Sequence, residues 1–151
     1  MPENIFSTFE ISGKGTSLQR MRLNAVANNI ANANTTKGPD GLPYKRDVVI
    51  VNAVQDNTFE SELDSQIGNS FETSGNSVSN VLEAHLGKDD SPPRMIYDPS
   101  HPDADEDGYV AMPNVNIVTE MVEMISAQRG FEANASVIES AKNMARDSLD
   151  I

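Results

Sequence analysis

No cysteine and no tryptophan occur in this chain of 151 residues, and aromatic side chains make up only 5% of it. Without thiols, a disulfide framework, thiol catalysis and cysteine-ligated zinc are all excluded. The two histidines, His85 and His101, stand far apart in weakly patterned stretches, so each reads as a surface residue rather than a metal ligand or general base. Basic residues are also scarce: 11 lysines and arginines face 23 carboxylates, for a net charge of −12. No basic stripe interleaved with aromatics is present, which argues against nucleic acid as a partner. Lys14, the first basic residue, follows Glu3 and Glu10, and no apolar run of signal-peptide length comes after it. Neither a cleaved secretory signal nor an integral membrane segment is therefore expected.

The content that remains is amide-rich and unevenly charged. Hydrophobic residues reach 38%, while asparagine alone occurs 15 times, so a large private core is not expected. Residues 1–54 hold 6 basic and 4 acidic side chains, residues 55–108 hold 2 and 13, and residues 109–151 hold 3 and 6. The acidity belongs to the middle.

The strongest periodic signal is near the C-terminus. Steps of four and three from Ile117 reach Met121, Met124, Gln128, Phe131, Ala135, Ile138, Lys142, Ala145 and Leu149, and eight of these ten positions are apolar. That spacing predicts a long helix with a coiled-coil seam, about 50 Å in length. Val118, Val122 and Ile125 form a second apolar line beside it. Together the two lines are wider than one partner helix covers, which implies contacts beyond the chain itself.

Toward the N-terminus, Ile5, Phe6, Phe9 and Ile11 begin an apolar segment that Gly13-Lys14-Gly15 is expected to interrupt, with Thr16 or Ser17 capping a new helical start. From there Leu18, Met21 and Ala25 form one stripe, and Leu23, Val26, Ile30 and Ala33 a neighbouring one. Asn24, Asn28, Asn29, Asn32 and Asn34 occupy much of the remaining surface. Asparagine is a poor helix former, so this helix should depend on tertiary or intermolecular contacts.

Between the helices, Gly38, Pro39, Gly41 and Pro43 mark a turn, and Val48-Val-Ile-Val-Asn-Ala-Val54 reads as a strand. Residues 55–93 read as loop with up to two short strands. Arg94-Met-Ile-Tyr97 and Tyr109-Val-Ala-Met112 are candidate strands flanking an acidic turn; Pro113 stops the second, and Asn116 is the expected N-cap of the terminal helix.

Two constellations invite a chemical reading. Asp103, Asp105, Asp107 and Gly108 match the opening of a calcium loop, but Asn114 stands where a bidentate glutamate is required, and Pro99 and Pro102 exclude the usual entering helix. A solvated acidic turn is the better reading. Gly13-Lys14-Gly15-Thr16-Ser17 lacks the upstream glycine and the lysine-to-hydroxyl adjacency of a phosphate loop. No carboxylate pair is held in an evident frame, so no catalytic residue, cofactor or bound metal is expected.

Ala27-Asn-Asn-Ile-Ala-Asn-Ala-Asn-Thr35 resembles the N-terminal motif of bacterial flagellar axial proteins, the rod and hook subunits. Three further stretches resemble the proximal rod members of that family: Gly38-Pro-Asp-Gly-Leu-Pro-Tyr44, Gly108-Tyr-Val-Ala-Met-Pro-Asn-Val115, and Glu120-Met-Val122 followed by Arg129 and Phe131-Glu-Ala-Asn134. The resemblance implies a structural subunit of the flagellar basal-body rod, exported by the flagellar type III apparatus and polymerised with itself and other rod subunits into a helical assembly. It implies a mainly α fold with a small β-rich middle, in which an N-terminal helix (1–36) and a C-terminal helix (115–151) pair as a coiled-coil-like hairpin in the assembly. Residues 37–114, with the acidic segment 55–93, would lie outside. The expected assembly contacts are Leu23, Val26, Ile30, Ile117, Met121, Met124, Phe131, Ile138 and Leu149. The termini of the isolated subunit are expected to be largely unstructured until assembly. An acidic cation-binding module and a free-standing coiled-coil adaptor are the competing readings.

Overall fold

The structure, a computed structural model, describes residues 2–54 and 81–149. Among these residues the element order is α1 (Pro2–Ala31), β1 (Asp47–Val54), β2 (Val81–Lys88), β3 (Arg94–Tyr97), β4 (Tyr109–Met112) and α2 (Ile117–Leu149). β1 pairs with β2, and β3 pairs antiparallel with β4 in the register Arg94 with Met112 to Tyr97 with Tyr109. The fold is mainly helical, with two long helices flanking two small sheets. The chain forms two compact units, residues 1–49 with 86–151, and residues 50–85. Within the smaller one, the described residues are the paired strand segments 50–54 and 81–85. Phe59, Leu63, Ile67, Phe71 and Val78, the isolated apolar positions of the acidic segment, lie outside the described residues.

The two helices pack side by side in the larger unit. Gly15 meets Asn134, Gln19 meets Gly130, Arg22 reaches Glu123 at 3.7 Å and Asn29 bonds Glu120 at 3.0 Å. Numbers rise on one helix as they fall on the other, so the pair is antiparallel.

Helix α1 is unbroken, contrary to the expected interruption at Gly13 to Gly15. Two glycines cost a helix about 1 kcal/mol each, but local bonds and packing offset that here. Lys14 Nζ bonds Glu10 Oε1 at 2.6 Å one turn back, and the Thr16 hydroxyl donates to the Ser12 carbonyl at 2.8 Å rather than capping a new start. A Cβ on Gly15 would come within 2.8 Å of the Asn134 side chain, so this glycine is where the second helix approaches closely. Gly13, on the opposite face, has nothing within 4 Å of its Cβ position.

The seam between the helices is also not the one that apolar counting gives. On α2 the seam runs through Glu120, Met124, Ala127, Phe131, Asn134, Ile138, Ala141 and Ala145, all buried or half-buried, with half-buried Glu123 and Gly130 beside it. This is a heptad spacing that shares Met124, Phe131, Ile138 and Ala145 with the predicted line. Its other half differs. Ile117, Met121, Gln128, Ala135 and Lys142 are exposed, and Glu120, Ala127, Asn134 and Ala141 take their places. On α1 the matching line is Thr8, Ser12, Gly15, Gln19, Arg22, Val26 and Asn29, continued by Ala33 just past its end. Small and polar residues dominate both lines, so the helices meet closely but bury few large apolar groups.

The short sheet of β3 and β4 rests on one glycine and one valine. Gly108 has a φ of +80°, in the region favouring glycine, and a Cβ there would meet the Tyr97 ring at 3.0 Å and Pro99 at 3.1 Å. Val110 is fully buried, while Tyr97 and Tyr109 stack edge to face with centroids 5.3 Å apart. As expected, Asn116 caps α2: its Oδ1 accepts the Val118 amide at 3.0 Å.

Candidate functional site

The feature that fixes the hairpin is a buried polar cluster at the end of α1 and the start of α2. Glu120 is 1% exposed and Asn29 1%. Asn29 uses its whole amide. Its Nδ2 donates to the Asp47 carbonyl at 2.9 Å and to Glu120 Oε2 at 3.0 Å, while its Oδ1 accepts the Asp47 amide at 2.7 Å. The Tyr44 hydroxyl lies 3.0 Å from both Asn29 Oδ1 and Asp47 Oδ2 and shares its one proton between them. Arg46 Nε closes the cluster on Glu120 Oε1 at 2.6 Å, and Lys88 pairs with Asp47 at 2.5 Å while lying 4.8 Å above the Tyr44 ring.

Charge balance explains why so polar a cluster is tolerated. A buried carboxylate is costly unless paired and hydrogen-bonded, and Glu120 has both Arg46 and Asn29. Its position in the first turn of α2 also places it at the positive end of the helix dipole. Burial, followed by the bond to Asp47, pushes the Tyr44 phenol well above the usual tyrosine range.

The backbone that delivers Tyr44 to Asn29 is the tight turn after α1. Gly38 N bonds the Leu42 carbonyl at 2.8 Å, Gly41 N bonds the Gly38 carbonyl at 3.0 Å, and Tyr44 N returns to the Thr35 carbonyl at 3.2 Å. Gly41 has a φ of +73°, which a side chain would strain. The motif segments therefore have physical roles. Asn29 and Tyr44 build the cluster, Asn32 holds the helix end through Asn28, and Gly41 turns the chain back.

The acidic turn is braced by bonds to its own chain. Asp105 Oδ1 accepts the amides of Asp107 at 3.1 Å and Tyr109 at 2.7 Å. Asp103 is anchored to the end of the α1 region by Lys37 at 2.6 Å and Thr36 at 2.7 Å. Those two partners, Lys37 first, hold the Asp103 carboxyl below its ordinary pKa. Among the described residues no group of three or more histidines and carboxylates is arranged to hold a metal ion. The reading of this turn as simply solvated is corrected in one respect: Asp103 docks it onto residues 36 and 37.

Of the expected contact residues, Val26, Met124, Phe131 and Ile138 lie in the seam of the hairpin, and Leu23 and Ile30 are half-buried beside it. Ile117 is 38% exposed and Met121 51%. Leu149 ends α2, and its side chain lies outside those described. Sequence reasoning named Asn29 only among the helix amides and within a family motif, and Glu120 only within a family motif; Arg46 and Asp47 went unremarked. The usable signal was present in the pairing of an acidic first turn with an amide-rich helix end.

Outside the seam, α2 presents large apolar side chains to solvent: Val118 (69%), Met121, Val122 (62%) and Ile125 are all exposed. No described helix is long and apolar enough to cross a membrane. Those four side chains form an apolar stripe that the hairpin leaves uncovered.

Comparison with known sequences agrees with the motifs. The family described as "Flagellar basal body rod FlgEFG protein C-terminal" matches residues 106–151, and that described as "Flagella basal body rod protein" matches residues 9–39. Both matches place the sequence in the class of flagellar basal-body rod proteins. Among full-length relatives, the flagellar basal-body rod protein FlgC of Borreliella burgdorferi is 41% identical over 97% of each chain. Those of Salmonella typhimurium and Bacillus subtilis are 35% and 34% identical, again over 97% of each chain. The chain belongs to the FlgC family of flagellar basal-body rod proteins.

Proposed function

We propose that the chain is a structural subunit of the flagellar basal-body rod that polymerises through its terminal helices, so that the rod transmits rotation for motility. Membership of a family of rod proteins supports the structural role, and the relatives it matches are rod proteins rather than enzymes. The single observation that supports polymerisation through the helices is the stripe Val118, Met121, Val122 and Ile125, which the hairpin leaves in water.

In this reading residues 1–36 and 115–151 form the inner helical layer and residues 37–114 lie outside it. The contacts between subunits draw on Leu23, Ile30, Ile117 and Met121, while Val26, Met124, Phe131 and Ile138 hold the hairpin itself and Leu149 extends its end. Partners are further copies of the chain, other rod subunits and the flagellar export apparatus. A seam rich in alanine, glycine and amides supports a hairpin that is folded in the isolated chain and further stabilised on assembly.

An epitope-tagged chain replacing the native gene tests the reading. The tagged protein is expected in purified basal bodies, and deletion of the gene is expected to abolish swimming. A motile deletion strain, or basal bodies free of the tag, would refute it.

A further inference from the structure

The two outward faces of the hairpin differ in size and charge in a complementary way. Facing away from the seam, α1 carries Gly13, Arg20, Asn24, Ala27 and Ala31, all exposed and mostly small. Residues 11–39 contain Lys14, Arg20, Arg22 and Lys37 and no carboxylate. The outward face of α2 carries bulky Val118, Met121 and Ile125, followed along the same line by the exposed acids Glu132 and Glu139. Among the described residues, Arg20, Glu132 and Glu139 take part in no ion pair, unlike Arg22 and Glu123 in the seam.

Resting on the rod-subunit reading above, we infer that the outward face of α2 docks antiparallel on the outward face of α1 of a second copy, with Glu132 opposite Arg20. The register follows from helix geometry. Seven residues on from Arg20 is Ala27 and four more is Ala31; seven back from Glu132 is Ile125 and four more is Met121. Steps of seven and four stay on one helix face. The two bulky side chains therefore fall opposite the two alanines, and Asn24 falls opposite Gln128.

Self-pairing of like faces is disfavoured by the same residues. Two α2 faces would set bulk against bulk and bring Glu132 and Glu139 near their own copies, and two α1 faces would join small residues around paired arginines. The mixed contact is heterologous, so a docked pair keeps one free face of each kind, one on either copy, and the array can be extended, as a rod requires.

Because the chain has no native cysteine, the contact can be trapped directly. A chain with both Ala27→Cys and Ile125→Cys, expressed in place of the native gene, should give a disulfide ladder of this chain in oxidised basal bodies, and neither single variant should. Arg20→Glu and Glu132→Arg should each lower incorporation on the order of tenfold, and the two combined should restore it, with unchanged helicity of the purified chain in every case. Incorporation of the double-cysteine chain without a ladder, or linkage only to a different rod protein, would overturn the contact while leaving the rod role intact. Absence of even the unaltered chain from basal bodies would refute the role itself.

Discussion

The two faces of α2 divide its large apolar side chains between them. Its inward line alternates Met124, Phe131 and Ile138 with Glu120, Ala127, Asn134 and Ala141, whereas its outward line holds Val118, Met121, Val122 and Ile125. A protein that folds for itself buries its large apolar groups first, because each contributes roughly 1.5–3 kcal/mol when removed from water. Here four of them, Val118, Met121, Val122 and Ile125, are left outside, and polar bonds and close approach hold the hairpin together with half-buried Met124, Phe131 and Ile138. The lesson is that directional contacts help to specify the hairpin, while much of the apolar area of α2 is left uncovered by folding.

The inward side should break most sharply at Glu120. Replacing it with alanine strips Arg46 and Asn29 of their partner at a position 1% exposed, and the isolated chain should lose on the order of 3 kcal/mol. Urea unfolding followed by far-ultraviolet circular dichroism measures this; a loss below about 1 kcal/mol, the worth of an ordinary hydrogen bond, would mean that the cluster does not hold the hairpin.

A smaller contrast separates two glycines two residues apart. Gly13→Ala adds a side chain in open space and should stabilise the isolated chain by about 1 kcal/mol through helix propensity. At Gly15 the same change places a methyl within 2.8 Å of the Asn134 side chain, so the propensity gain should be cancelled by displacement of that side chain. Equal gains in thermal unfolding at both positions would show that the helices do not approach at Gly15.

The smallest effect concerns protonation. The Tyr44 phenol, raised by burial and by Asp47, has a folded pKa above its unfolded value. Its contribution to stability is therefore fully present below the ordinary tyrosine pKa of about 10 and is lost as pH rises through the folded value. Ultraviolet titration should show a late-ionising tyrosine that Tyr44→Phe removes. For Asp103 the sign is opposite: its pKa is depressed, so its dock on Lys37 and Thr36 persists at neutral pH and is lost as pH falls through the lowered value. Chemical shifts of Thr36 in an acid titration follow it.

How far the sequence could be read depended on residue size. The existence of both helices, the strands β1, β3 and β4 and the Asn116 cap were legible from apolar periodicity, β-branched runs and cap chemistry. The phase of the seam was not. Counting large apolar residues put Ile117 and Met121 inside, whereas the chain buries alanines and a paired glutamate there, residues that such counting passes over. Gly15 read as a break because propensity alone disfavours it; its role appears only with Asn134 beside it. The cluster around Asn29 joins residues up to 91 positions apart, a separation that local patterns do not reveal. The family motifs carried that information without giving its physical reason.

The central claim is that the outward face of α2 serves assembly and not folding. Substituting Met121→Gln and Ile125→Gln together tests it, since glutamine keeps helix propensity while removing apolar surface at positions 51% and 54% exposed. The account predicts that the purified chain unfolds within about 0.5 kcal/mol of the unaltered one, while cells carrying it form no complete basal bodies and do not swim. A comparable loss of stability in the isolated chain, or normal swimming, would contradict it.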